Sequence, residues 1–491
     1  MTSRRWLFAD QLGPQFLDRP DQPVLLVESL AVFRRRRFHR AKAHLLLTAL
    51  RHRALELGDQ AVFLQVDGFD EALEQMTDQL SVVQPTSYAS DAFVRARGIE
   101  VVPDGRGFVT TRADFAGWVA GRKRLLMEDF YRWQRQRLDL LMDGDEPSGG
   151  QWNLDHDNRQ PPPKRATLGI ADPWWPTEDE VYEQVREDLD RWECDGLVSF
   201  VGEDRPRWAP ATRAEAVTAL DHFVAHRLPD FGPTEDAMLG ADPWMAHSAL
   251  SPAINLGLLH PLECVHAAEA AYRSGSAPLN SVEGYVRQVV GWREWIWSLY
   301  WHVPDDYRDA NALAATGDLP EWFRSLDASS EVTANCLSSV LADVRQRGWV
   351  HHIPRLMVLG NYAMQRGWDP KQVTAWFHEV FVDGYDWVML PNVTGMSQHA
   401  DGGLFTTKPY AAGGAYIDRM SDYCKPCAYD PKVRVWEKAC PFTAGYWAFL
   451  ERNAGRLEGN HRMRQPLTGL GRLKDLDELV AQERDRGDTP P

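Results

Sequence analysis

Cysteine is scarce in this chain, with six among 491 residues, too few for a disulfide-stapled fold. Long apolar runs are missing as well. None approaches the roughly 18 residues needed to cross a bilayer. The start, Met1-Thr-Ser-Arg-Arg-Trp-Leu-Phe-Ala-Asp10, holds too short an apolar stretch for a secretory signal, so a cytoplasmic protein is expected. Positive charge is in deficit: 54 Lys and Arg against 70 Asp and Glu leave a formal charge of −16. That excludes a surface coated with basic residues, although nucleic-acid binding depends on a local patch and not on the sum. No internal repeat is visible. What the chain does hold is tryptophan, 20 of them. Most such residues serve as core mass, yet a protein that moves electrons or stacks bases draws on them too.

The length exceeds what one core supports, so two or more domains are expected. Residues 1–130 alternate between strand and helix signals. Trp6–Phe8, Val24–Val27 and Ala61–Val66 are short apolar runs suited to buried parallel strands, and residues 38–57 carry apolar positions at helical spacing. Ala9-Asp-Gln-Leu-Gly13 is a polar turn at a strand end. This rhythm predicts an α/β, doubly wound parallel-sheet domain, with ligands at the carboxyl ends of its strands. The run Arg34–Arg37 is expected to open the helix as a solvated face. Residues 131–204 read as an interdomain connector, marked by Gly149-Gly150, Gln160-Pro-Pro-Pro-Lys164 and Pro173-Trp-Trp-Pro176. From 205 to 491, helical patterns broken by Gly, Pro and Asn predict a large all-α domain.

Cys424-Lys-Pro-Cys427 and Cys440-Pro441 give C-x2-C-x12-C-P, with Cys336 a further 88 residues upstream of Cys424. Two thiolates two residues apart can grip one metal centre from a single turn, and a distant pair can close the shell. An iron–sulfur cluster, a zinc ion and unligated thiols all remain open on spacing alone. Cys194 and Cys264 read as packed thiols.

Three segments follow in order: His247-Ser-Ala-Leu-Ser-Pro-Ala-Ile-Asn-Leu-Gly-Leu-Leu259, Val286-Arg-Gln-Val-Val-Gly-Trp-Arg-Glu294 and Asp383-Gly-Tyr-Asp-Trp-Val-Met-Leu-Pro-Asn392. They resemble the FAD-site segments of photolyases and cryptochromes. Trp152–Arg159, His351–Val358, Met396–Gly403, Thr407–Tyr410 and Met420–Cys424 are similar to marks of one branch, the prokaryotic iron–sulfur photolyases or bacterial photolyase-related cryptochromes. The match runs nearly end to end. The resemblance implies FAD held by Ser248, Leu250, Ser251, Asn255, Gln288, Trp292, Arg293, Asp383, Met389 and Asn392. It implies a 4Fe–4S cluster on Cys336, Cys424, Cys427 and Cys440. It also implies a 6,7-dimethyl-8-ribityllumazine antenna against Asp10, Gln11, Leu12 and Glu28. In the family, light absorbed by reduced FAD drives an electron into a pyrimidine photoproduct. A tandem histidine marks repair of the (6-4) lesion, which needs a proton, and His351 and His352 match it. Tyr410 and Tyr416 fall in segments that line the lesion pocket of relatives.

The residues carry their own chemistry beside this. Ser248 and Ser251 precede or open a helix and offer donors to a diphosphate, with Asn255 one turn further on the same face; a Ser-Pro helix cap is the plainer reading. Arg293 could face an acidic flavin edge, with Trp292 beside it, while Arg287 and Glu294 read as a surface pair. Imidazole suits proton supply near neutral pH, although a His pair capping a helix is an alternative.

Two positions depart from the family pattern. Met389 stands where relatives face flavin N5 with Asn or an acid, and a thioether cannot donate a proton there. Ala328 stands where relatives carry the proximal tryptophan of an electron relay; Trp376 keeps a second relay position, and Trp322 or Phe323 could substitute. His399 replaces a frequent aromatic. Three functions follow: (6-4) repair of UV-damaged DNA, with phosphates met by Arg355, Arg366, Lys408, Arg419 and Lys425; a blue-light photoreceptor; and non-repair chemistry on a small molecule. A monomer is expected.

Overall fold

The structure is a computed structural model that describes residues 3–103, 106–326 and 331–491; Ala328 lies outside the described residues. Five short strands, β1 (Arg4–Leu7), β2 (Val24–Ser29), β3 (Ala61–Val66), β4 (Leu80–Val83) and β5 (Glu100–Val102), pair in parallel in the order β3-β2-β1-β4-β5. The predicted α/β sheet is therefore present. Its order reverses between β1 and β4, so the loops leaving those two strands diverge and open a crevice.

Period-two alternation sorts the side chains. Trp6, Leu25, Val27 and Val82 face one side, against Phe69 and Phe93. Leu7, Val24, Leu26 and Val83 face the other, where helix α1 (Arg40–Leu57) adds Leu45, Ala49 and Leu50. That second layer continues without a break into the helical region through Leu220, Phe223, Leu256 and Val286. Each large apolar side chain buried there contributes roughly 1.5–3 kcal/mol, so the sheet cannot leave the helices without exposing a shared core.

Arg34 ends a short helix, Leu30–Arg34, and Arg35–Arg37 lie in the connection to α1. The basic run thus does not open α1; the ring Nδ1 of His39 caps it, accepting from Ala41 N–H at 3.1 Å. The connector contains more order than its composition suggests. Helix Glu180–Cys194 packs Val185 and Leu189 on Ala43 and Leu47 of α1.

The rest is helical. The elements that matter below are α2 (Ser251–Asn255), α3 (Leu279–Val286), α4 (Asn335–Arg347), α5 (Pro370–Val380), α6 (Pro441–Leu457) and α7 (Leu476–Arg486). Among the described residues, three π-helices interrupt the α-helical pattern: π1 (Arg287–Arg293), π2 (Pro354–Gly360) and π3 (Leu390–Ser397). Wider turns of this kind are rare and concentrate at functional sites. All three fall on or beside segments singled out by sequence. Among the described residues, no helix is long and apolar enough to cross a membrane.

Candidate functional site

A narrow cleft opens at the point where the strand order reverses. Asp10 and Gln11 line it beyond β1, Gln84 and Thr86 beyond β4, and Asn255, Arg293, Trp297 and Trp387 close it from the helical side. Gln11 Nε2 donates to the carbonyls of Val83 and Gln84 at 3.2 and 3.3 Å, while its Oε1 is buried without a partner. The Thr86 hydroxyl donates to Asp10, yet burial raises that carboxyl above its ordinary pKa. Phe108 stacks on Trp297 with ring centres 3.6 Å apart, and the Arg293 guanidinium lies 4.2 Å from the Phe108 ring. Flat walls, a cation and amide edges suit a planar ring system with polar rims.

The four residues assigned to the antenna divide. Asp10 and Gln11 reach the cleft. Leu12 is core, and its N–H donates to Leu256 O at 2.9 Å, stitching the β1 loop to the end of α2. The next residue, Gly257, has φ +71°, and a Cβ there would meet the Phe16 ring at 2.5 Å, so only glycine allows this approach. Glu28 is buried elsewhere, gripped by Arg51 at 2.8 and 3.0 Å and by Gln65 at 3.1 Å.

A second constellation gathers on Asp383, in the loop after α5. Ser251 Oγ donates to its carboxylate at 2.7 Å, Asn255 Nδ2 to its carbonyl at 3.2 Å, and Arg355 makes two bonds to the carboxylate at 2.8 and 3.1 Å. Segments more than a hundred residues apart thus meet on one side chain. Arg355 was read as a DNA contact; the structure commits it to this pair, with its guanidinium 4.1 Å from the Phe381 ring. A forked Arg–carboxylate pair that is largely buried fixes geometry in a way a single bond does not. Ser248 Oγ accepts from Leu250 N–H at 3.3 Å, and Leu250 is buried. Trp292 is half-buried and packs on the apolar cluster that holds Met389, Met357 and Val393. Gln288 is half-buried in π1. Asn392 spends its amide on Val388 O at 2.9 Å.

The buried His351 stacks on His247, with ring centres 4.2 Å apart and planes 20° off parallel; its sequence neighbour His352 is exposed. His247 Nε2 and His351 Nδ1 are buried without partners. Burial, then the charge of Arg227, holds His247 down to about 3. Burial, then His247 and His352, places His351 well below the ordinary histidine value. Sequence reasoning missed His247 as the stacking partner, although it opens the first flavin-like segment. Tyr410 is exposed and Tyr416 half-buried; Asp236 and Arg159 act on both. Burial and then Asp236 push Tyr416 up to about 12.

The four candidate ligand thiols line one small cavity. Cys336 sits in the first turn of α4, Cys440 is the N-cap of α6, and Cys424 and Cys427 lie on one turn, with Cys427 N–H donating to Cys424 O at 3.3 Å. A Cβ on Gly414 would come within 2.8 Å of Cys440 Sγ. Burial raises Cys336, and its three neighbours reinforce this; burial and then Cys440 take Cys424 up to about 12. Crowded thiols of this kind release their protons when a cation enters. Cys264 is buried as read, whereas Cys194 is exposed at a helix end and not packed.

Trp376 is buried, and its Nε1 donates to Arg324 O at 3.2 Å. Its ring lies 4.6 Å from Phe323, which lies 5.0 Å from Trp368 and 5.5 Å from Trp322. On the other side Phe381 is 6.2 Å away, beneath Arg355.

Two further assignments change. Arg287 and Glu294 are not a surface pair: Arg287 is buried among Asp155 (2.9 Å), Glu235 (3.5 Å) and Glu283 (3.6 Å). Glu294 is buried against Arg293 at 2.9 Å and the amides of Val109 and Thr110. Arg366 is bound to Glu483 of α7 at 2.8 Å and is not free for phosphate. Lys408, Arg419 and Lys425 are exposed.

Known proteins agree with this architecture. A family profile described as deoxyribodipyrimidine photo-lyase-related protein matches residues 5–197. Over 495 residues the chain is 39% identical to the (6-4) photolyase of Agrobacterium fabrum (strain C58), covering 96% of this chain and 95% of that protein. A bacterial class III photolyase from Agrobacterium tumefaciens superposes with a TM-score of 0.54 at 18% identity, covering 99% of this chain and 96% of that one. The cryptochrome of Synechocystis sp. PCC6803 gives 0.53 at 13%, covering 99% and 98%. At those identities the two structures speak for the fold alone. The chain belongs to the photolyase/cryptochrome family, in its (6-4) photolyase branch.

Proposed function

We propose that this protein is a light-driven DNA repair enzyme that reverses pyrimidine–pyrimidone (6-4) photoproducts. The observation that carries the reading is the His247–His351 stack, two buried imidazoles with unpartnered nitrogens. The unpartnered nitrogens leave the pair able to exchange a proton with a lesion seated against it, a general-acid role that requires the bound lesion to bring the imidazole pKa up toward the working pH. His352, exposed on the same turn, completes the tandem pair. Tyr410 and Tyr416 wall the pocket for an extruded base, whose unstacking costs a few kcal/mol. Lys408, Arg419 and Lys425 are the cations left to meet phosphates.

The hydroxyl, amide and forked Arg–carboxylate groups gathered on Asp383, with the half-buried Trp292, fit FAD, which supplies the light-driven electron when bound. Ser248, Leu250, Ser251, Asn255, Gln288, Trp292, Arg293, Asp383, Met389 and Asn392 are the residues that would hold it, with Arg355 fixing Asp383. Cys336, Cys424, Cys427 and Cys440 would hold a 4Fe–4S cluster: four thiols around one cavity can each take a separate iron. The cleft at Asp10 and Gln11 fits a ribityllumazine antenna, whereas Leu12 and Glu28 do not line it. Trp376, continued through Phe323 to Trp368 and Trp322, is the electron relay that would bypass Ala328.

The test is to irradiate the reduced protein with an oligonucleotide carrying one (6-4) lesion and to resolve the products by chromatography. Restored thymines are expected. Light-driven flavin reduction without restored thymines favours a photoreceptor instead, the reading that the buried thioether of Met389 supports. Neither response leaves non-repair chemistry.

A further inference from the structure

We infer that Lys42, on the α/β side of the molecule, is a positioning residue for Asp383, the carboxylate at the centre of the flavin-side constellation. The inference deepens the FAD reading above and rests on it for its functional consequence. The start of α1 is pressed against the ends of α5 and α4: His39 N–H donates to Glu379 O at 3.0 Å, and the His39 ring Nε2 lies 3.1 Å from Arg345 O. One turn into α1, Lys42 is buried, and its Nζ donates to His378 O and Gly384 O, both at 2.6 Å.

Those two carbonyls bracket Asp383. His378 belongs to the last turn of α5, whose final carbonyls have no partner within the helix and whose dipole favours a cation. Gly384 is the residue after Asp383, so fixing its carbonyl sets how the turn presents the carboxylate. The turn has little freedom otherwise: a Cβ on Gly384 would meet Phe377 O at 2.7 Å and Phe381 O at 2.9 Å. Asp383 is therefore gripped twice. Ser251 and Arg355 hold its side chain from the helical region, and Lys42 holds its backbone from the sheet region.

The chemistry of the contact argues against filler. Burying an amine is costly, and burial takes Lys42 down to about 7 despite Asp383 and Glu379 nearby. An apolar side chain would fill the same space without that cost. What only the amine supplies is two N–H donors aimed at two carbonyls, and a neutral amine has two.

The experiment compares wild type with Lys42→Met and Lys42→Arg, measuring hydrogen exchange of the 381–389 peptide, flavin affinity and the visible circular dichroism of bound flavin. For Lys42→Met, with unchanged far-ultraviolet dichroism, exchange at 381–389 accelerates and flavin affinity falls about tenfold, the loss of one to two net hydrogen bonds. Lys42→Arg, which keeps donors, restores part of both. If Lys42→Met does not fold, Lys42→Gln, shorter but with two N–H bonds, is expected to lose at least threefold in affinity. A folded Lys42→Met or Lys42→Gln with wild-type exchange, affinity and flavin dichroism overturns the assignment. A wild type that takes up no flavin, beside a Lys42→Met whose 381–389 exchange accelerates, sinks the flavin reading and leaves the latch standing.

Discussion

The thiol cavity and the Asp383 constellation, the two places where a redox group is proposed to sit, are built in opposite ways. The cavity is nearly local: three of its four thiols lie between 424 and 440, and the fourth enters on the first turn of α4. Asp383 is held by residues from α2, π2 and, through Lys42, α1. A local cage is made or lost as a unit, whereas a distributed site can be loosened one contact at a time. Removing a single group should therefore have an all-or-none effect at the first and a graded effect at the second.

The largest effect is expected at the cage. Cys440→Ser should strip bound iron to near zero, seen as lost visible absorbance and a lower melting temperature. A variant that kept its iron would mean the four thiols do not act together. Next comes Asp383→Ala, which leaves the largely buried Arg355 uncompensated; a loss of about 3–5 kcal/mol in denaturant unfolding is expected. Asp383→Asn should lose less, because the amide still accepts one bond.

A smaller effect follows from the histidine stack. His247 stays neutral in the fold down to about 3 but takes a proton near 6.5 when unfolded. Its folded pKa is the lower one, so stability falls as pH drops below about 6.5, by roughly 1.4 kcal/mol per pH unit for one proton. His247→Phe should flatten that acid slope between pH 6 and 4, and an unchanged slope would contradict the assignment. The smallest structural effect belongs to Trp376→Phe. About 1–3 kcal/mol of stability is expected to go, while light-driven flavin reduction slows; reduction at the wild-type rate would place the relay elsewhere.

The same contrast explains what could be read from sequence. The strands announced themselves because short apolar runs bounded by turns leave few alternatives, and C-x2-C-x12-C-P is a spacing that a chemist can interpret. Asp383 and Arg355 lie 28 residues apart with no periodicity linking them, so Arg355 looked like any surface cation. Arg287, Glu294 and Arg366 misled for the same reason: charge in a sequence reads as exposure, and only the fold shows three carboxylates around one buried guanidinium. Helix Glu180–Cys194 was hidden by the Pro-rich tract before it. Lys42 gave no signal at all, because its partners are backbone carbonyls, which carry no sequence identity.

The most direct test of the account is the composition of protein purified without oxygen. Flavin, iron and acid-labile sulfide should be present at one, four and four per chain, with a broad iron–sulfur absorption beneath the flavin bands. A colourless protein with intact helices, or one zinc ion in place of the iron, would contradict it.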